Sequence, residues 1–101
     1  MGDDDATIRE FLHYFRLSAA KITIELRAAC AAGQATAAGA LAHKLKSSAR
    51  SVGALALGEL CAAMEQAGAM RDMAALAVLL PGFEREWADV EHFIEIFERT
   101  V

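Results

Sequence analysis

The 101-residue chain has little of what interrupts helices or builds strands: one proline, Pro81, and aromatics at 7%. Val, Ile, Thr and the aromatics never gather into an alternating run of strand length, which argues against a sheet. No stretch of about 18 apolar residues runs without a charge, and MGDDDATIRE is acidic where a secretory leader is basic and then apolar. The expectation is a chain without a membrane-inserted helix or leader, placed in the cytoplasm. Cysteine is scarce too. Cys30 and Cys61 lack a CxxC pattern and stand among Ala, Leu and Met, so they are expected to be buried thiols rather than a disulfide or a ligand pair. A basic excess is also missing: 10 Lys and Arg against 14 Asp and Glu leave a net charge of −4. Binding to a phosphate backbone needs a basic surface, so no nucleic-acid partner is expected. There is no GxxxxGK[ST] loop and no strand to precede one, which argues against ATP binding and against a kinase activity of its own.

What remains is a chain 55% hydrophobic, rich in alanine, with strong three-and-four periodicity. Asp5 can cap a first helix carrying Ile8, Phe11, Leu12 and Phe15 to about Leu17. From Ser18 a second stripe carries Ile22, Leu26, Ala29 and Cys30 to Gly33, a left-handed C-terminal residue; the two stripes are equally compatible with one bent helix. Ala35 to Val52 reads as the next helix, ended by Gly53. Another carries Leu57, Leu60, Cys61 and Met64 and closes at Gly68. The last starts at Asp72, a good N-cap, runs through Leu76, Leu80, Phe83, Trp87, Val90, Ile94 and Phe97, and is expected to kink or split at Pro81. Long amphipathic patterns joined by short connections predict an all-α fold. It should be an antiparallel up-and-down four-helix bundle with an additional N-terminal helix or helix extension, formed by residues 1–101 as a single domain.

Lys44, Lys46 and Arg50 stand together mid-chain, a local reversal of sign in an acidic chain. On a wheel of about 100° per residue, Leu41, Leu45, Ala49 and Val52 fall opposite His43 and are expected in the core. Thr36, Gly39, Ala40, Lys46, Ser47 and Arg50 fall within about 60° of it. His43 therefore points to water among small residues and two cations. A solvated surface histidine without a role is the competing reading, and three features weigh against it. Gly39, Ala40 and Ser47 are too small to cover the ring. Lys46, one turn along, can offer an ammonium to an anionic group on the imidazole. The Ser47 hydroxyl is placed to donate to the same group. Free imidazole titrates at about 6.5, so the uncharged, nucleophilic form dominates at neutral pH.

Two other chemistries are open to histidines in a helical bundle, and the residues argue against both. Glu10 and His13 make a single ExxH, whereas a di-iron bundle needs two such pairs and two further carboxylates facing inward. His92, beside Glu91 and Glu95, has no second ligand at convincing spacing. No metal site is expected.

The run His43-Lys44-Leu45-Lys46-Ser47-Ser48-Ala49-Arg50-Ser51-Val52-Gly53-Ala54 resembles the signature of histidine-phosphotransfer (HPt) domains, intermediates of bacterial multistep phosphorelays. The likeness extends to GDDDATIREFL, to LGELCAAMEQAG and to the long terminal helix. It implies that His43 is the phosphorylated residue, through its Nε2. It further implies that Lys46 steadies the phosphoryl oxygens and that Gly53 turns the chain; from their places on the wheel and along the helix, Ser47 is expected to help hold the same group and Gly39, Ala40, Lys44 and Arg50 to meet the partner. The family's usual glycine after the lysine is Ser47 here, which leaves less clearance for a partner. The implied partners are response-regulator receiver domains and a hybrid sensor histidine kinase, with Mg²⁺ carried by the receiver and no cofactor in this chain. The start at Met1-Gly2-Asp3 is expected to mark a domain excised from such a kinase, whose cytoplasmic part it would form. A non-phosphorylated helical adaptor that binds a receiver-like partner is the alternative.

Overall fold

The computed structural model describes residues 2–100, with side chains from residue 5 onward. Four helices follow one another: α1 (Gly2–Ala31), α2 (Ala35–Ser51), α3 (Leu55–Ala69) and α4 (Met73–Thr100). No strand occurs among the described residues. Each helix packs on its neighbour in sequence, and α4 closes back on α1. Connections this short force neighbours to run in opposite directions, giving the expected up-and-down bundle.

The core follows the heptad-like stripes. α1 buries Phe15, Ala19, Ile22, Leu26 and Ala29, and α4 buries Leu76, Phe83, Trp87 and Ile94. α2 contributes mostly small side chains, Ala35, Ala38, Ala42 and Ala49 around Leu45. Large residues on the long helices thus fill the space that a small-faced α2 leaves, and α2 can approach α3 closely. The buried Thr23 hydroxyl donates to Ala19 O at 2.8 Å, which satisfies it within its own helix.

The expected extra N-terminal element is an extension of α1. Ser18 neither breaks nor caps: it is exposed within one 30-residue helix, and the alanines that follow it favour continuation. Asp5 accordingly lies inside α1 rather than capping it. At about 1.5 Å per residue, α1 and α4 each span most of the long axis, and the molecule measures 48 × 19 × 18 Å. Their far ends pair as two helices, with Arg16 reaching Glu98 at 3.0 Å and Glu95 at 3.3 Å.

Pro81 does not split α4, which runs unbroken across it. Pro81 and Ala77 are both exposed, so water can take the carbonyl that loses its helical donor. The three turns share one construction. Gly33 (φ 71°), Gly53 (φ 82°) and Arg71 (φ 54°) occupy the left-handed region. After each, a backbone N–H reaches back five residues: Gln34 to Ala29, Ala54 to Ala49 and Asp72 to Ala67, each at 2.9 Å. These are Schellman closures. The third uses Arg71, so Gly68 does not end α3 as the sequence suggested; it lies within the helix. Asp72 does cap α4, its Oδ1 accepting from Ala75 N at 3.0 Å.

Candidate functional site

Periodicity places His43 as expected: Leu45 and Ala49 are buried, Leu41 and Val52 half-buried, and His43 exposed on the opposite face. What periodicity alone does not give is the neighbour across the groove. His43 Nδ1 lies 2.8 Å from Glu65 Oε2, and Lys46 Nζ donates to Glu65 Oε1 at 2.6 Å. One carboxylate of α3 therefore bridges two residues one turn apart on α2. The imidazole remains 62% exposed, while Lys46 and Glu65 side chains are 22% and 33% exposed. The picture of a ring framed by cations alone is corrected by this opposite charge.

A glycine crossing brings Glu65 within reach. A β-carbon on Gly68 would lie 2.5 Å from Gly39 Cα and 2.7 Å from Ala35 O, so the two backbones touch where side chains would hold them apart. His43 follows Gly39 by one turn, and Glu65 precedes Gly68 by one turn. Gly39 is thus buried and sets the α2–α3 spacing, besides lining the groove beside the ring. Ala40 and Lys44 line that open groove of about 530 Å³ with His43 and Glu65. Ser47 is exposed one turn beyond His43, and its carbonyl accepts from Ser51 Oγ at 3.0 Å. Arg50, also exposed, lies two turns beyond His43, and Gly53 forms the left-handed turn.

The electrostatics decide which ring nitrogen is free. The hydrogen bond from Lys46 holds the Glu65 carboxyl below its ordinary value of 4.5; desolvation opposes this and the His43 hydrogen bond adds to it. Glu65 is therefore ionised at neutral pH and can only accept. Nδ1 must donate, which leaves the lone pair of a neutral ring on Nε2. Because the folded-state value is depressed, the contribution of Glu65 to stability is fully present above pH 4.5 and is lost as pH falls through the lower value. Urea midpoints of wild type and Glu65→Gln are expected to differ at neutral pH and to converge on acidification; a gap that persists in acid would show that the ionised carboxylate contributes nothing.

The remaining candidates separate from this centre. His13 Nδ1 pairs with Glu98 at 3.3 Å rather than with a partner for Glu10, and His92 is exposed. No group of three His, Cys, Asp or Glu side chains fit to hold a metal is gathered among the described residues. Cys61 is buried and Cys30 half-buried, both as free thiols. Burial pushes the Cys61 thiol up to about 12 against the lowering influence of Arg50 and Lys46, so it stays protonated.

Glu65 and Gly68 are the residues that sequence reasoning missed. Their signal was present: Gly58, Cys61, Glu65 and Gly68 recur at the seam spacing of α3, and a carboxylate in a stripe of small residues needs a partner on the facing helix. No helix of the described residues is long and apolar enough to cross a membrane. A family model described as Hpt domain matches residues 10–93. Comparison with curated proteins and with solved structures gives no match.

Proposed function

The chain belongs to the Hpt domain family, which performs histidine phosphotransfer in two-component phosphorelays, and from that premise we propose that His43 accepts a phosphoryl group from a receiver-domain aspartate and passes it to another. The observation that carries this reading is the exposed ring whose Nδ1 is committed to Glu65. The Nε2 lone pair attacks phosphorus of the aspartyl phosphate. The bond from phosphorus to the carboxylate oxygen breaks, and its electron pair leaves with the aspartate. The ring becomes an Nε2-phosphoryl imidazolium that still donates Nδ1–H to Glu65, and the carboxylate offsets its positive charge. For onward transfer a second aspartate oxygen attacks phosphorus, and the N–P electron pair returns to Nε2.

Such chemistry asks mainly for in-line placement and charge neutralisation. Lys46, held one turn from the ring by Glu65, supplies an ammonium to the phosphoryl oxygens, a charge-assisted hydrogen bond worth roughly 1.5–3 kcal/mol. Ser47 supplies a hydroxyl from the next turn. The Mg²⁺ that accompanies the aspartyl phosphate belongs to the receiver.

Receiver domains charged at their aspartate, freed of small phosphodonor and mixed with the chain, provide the test. Intact mass is expected to rise by one phosphoryl group with at least one receiver, in a bond that survives base and is lost in acid. Stable binding to a charged receiver without any mass change would instead favour the adaptor.

A further inference from the structure

Arg50 occupies a seat built by the facing helix. A β-carbon on Gly58 of α3 would lie 2.9 Å from Arg50 Cγ, 3.5 Å from Nε and 3.7 Å from Cδ. The aliphatic stem therefore fills the notch where a side chain is missing. The guanidinium of this exposed residue enters no ion pair among the described residues, whereas Arg16, Arg27 and Arg99 each hold glutamates. Arg50 follows His43 by seven residues on α2, which puts it in line with the ring at about 10 Å along the helix. That distance falls well inside the footprint of a protein partner seated on His43.

Charge gives the direction of the contact. α2, with the sequence ATAAGALAHKLKSSARS, carries three cations and no carboxylate, in a chain whose net charge is −4. An acidic partner is repelled by the molecule as a whole and attracted by this face, which orients it. Lys46 is already held by Glu65. Arg50 is not, and its planar fork can take a carboxylate in a bidentate pair. A stem already seated loses less freedom on binding than a mobile one.

We propose that Arg50, seated on Gly58, is a specificity-determining contact that engages an acidic side chain of the receiver domain docked over His43. This rests on the phosphotransfer reading above. Gly58 is the positioning residue: it contributes the seat, while Arg50 contributes the charge.

The test compares two donors to His43: a charged receiver, which has a docking surface, and phosphoramidate, which has none. The readout is the ratio of receiver-driven to phosphoramidate-driven kcat/KM, which cancels changes in the ring itself. Arg50→Gln is expected to lower the ratio about tenfold, chiefly through KM, and to flatten its dependence on salt. Gly58→Ala keeps every charge but displaces the stem, and because the atoms in its way belong to a side chain the helices need not part. It is expected to lower the ratio about threefold alone, and to do nothing further in the Arg50→Gln background. A ratio unchanged in Arg50→Gln, or a Gly58→Ala effect of equal size with and without Arg50, overturns the proposal while leaving phosphotransfer intact. If no receiver charges the wild type although phosphoramidate does, both readings fall together.

Discussion

His43→Gln is expected to accept no phosphoryl group from any charged receiver, a loss of at least about a thousandfold, or ~4 kcal/mol in the barrier. A carboxamide nitrogen has no lone pair free to attack phosphorus, so positioning by Lys46 and Glu65 has nothing to act on. Stability should hardly change. The position is exposed mid-helix, Gln is at least as good a helix former as His, and surface substitutions of this kind stay within about 0.5 kcal/mol. Loss of transfer with an unchanged melting curve would assign the chemistry to the ring. Transfer that survives the substitution would move the acceptor to His13 or His92.

Gly68→Ala is expected to have the largest effect on stability. The methyl would meet Gly39 Cα at 2.5 Å, Ala35 O at 2.7 Å and Gly39 N at 2.8 Å, all backbone atoms that cannot swing aside. Overpacking of this kind costs about 1–3 kcal/mol, of which the better helix propensity of alanine recovers at most about 1. A fall in melting temperature of roughly 4–8 °C per kcal/mol lost follows for a domain this size. Parting α2 from α3 also draws Glu65 away from His43, so transfer should slow with the loss of stability. Gly82→Ala is the matched control, since its methyl meets only Leu60 and Arg85 side chains at 3.7 Å and beyond. Equal melting temperatures for Gly68→Ala and wild type would show that the close crossing is not what sets the spacing.

These two residues mark how far the sequence could be read. His43, Leu45 and Ala49 were placed by the period of one helix, a local property that neighbours do not alter. The four-helix architecture followed from the same periodicity and from short connections. Glu65 was legible only as a seam carboxylate in want of a partner; which partner it takes depends on the register between α2 and α3, which no single helix encodes. Gly39 reads as a small residue beside the ring and Gly68 as a helix end, since only the facing backbone reveals them as a contact. The third turn is displaced for a related reason: glycine takes the left-handed closure most readily, yet the chain places Arg71 there. Ser18 looked like a boundary because serine often caps, yet the stripe through Phe15, Ala19 and Ile22 continues in phase across it.

The most direct test is nitrogen and phosphorus NMR of the ¹⁵N-labelled chain before and after charging by a receiver. Before charging, the neutral ring of His43 should carry its proton on Nδ1; afterwards phosphorus should couple to Nε2 of that ring, with the Nδ1 proton retained. A proton on Nε2 at the outset, or phosphorus on Nδ1 or on another histidine, would contradict the arrangement in which Glu65 holds one nitrogen and thereby frees the other.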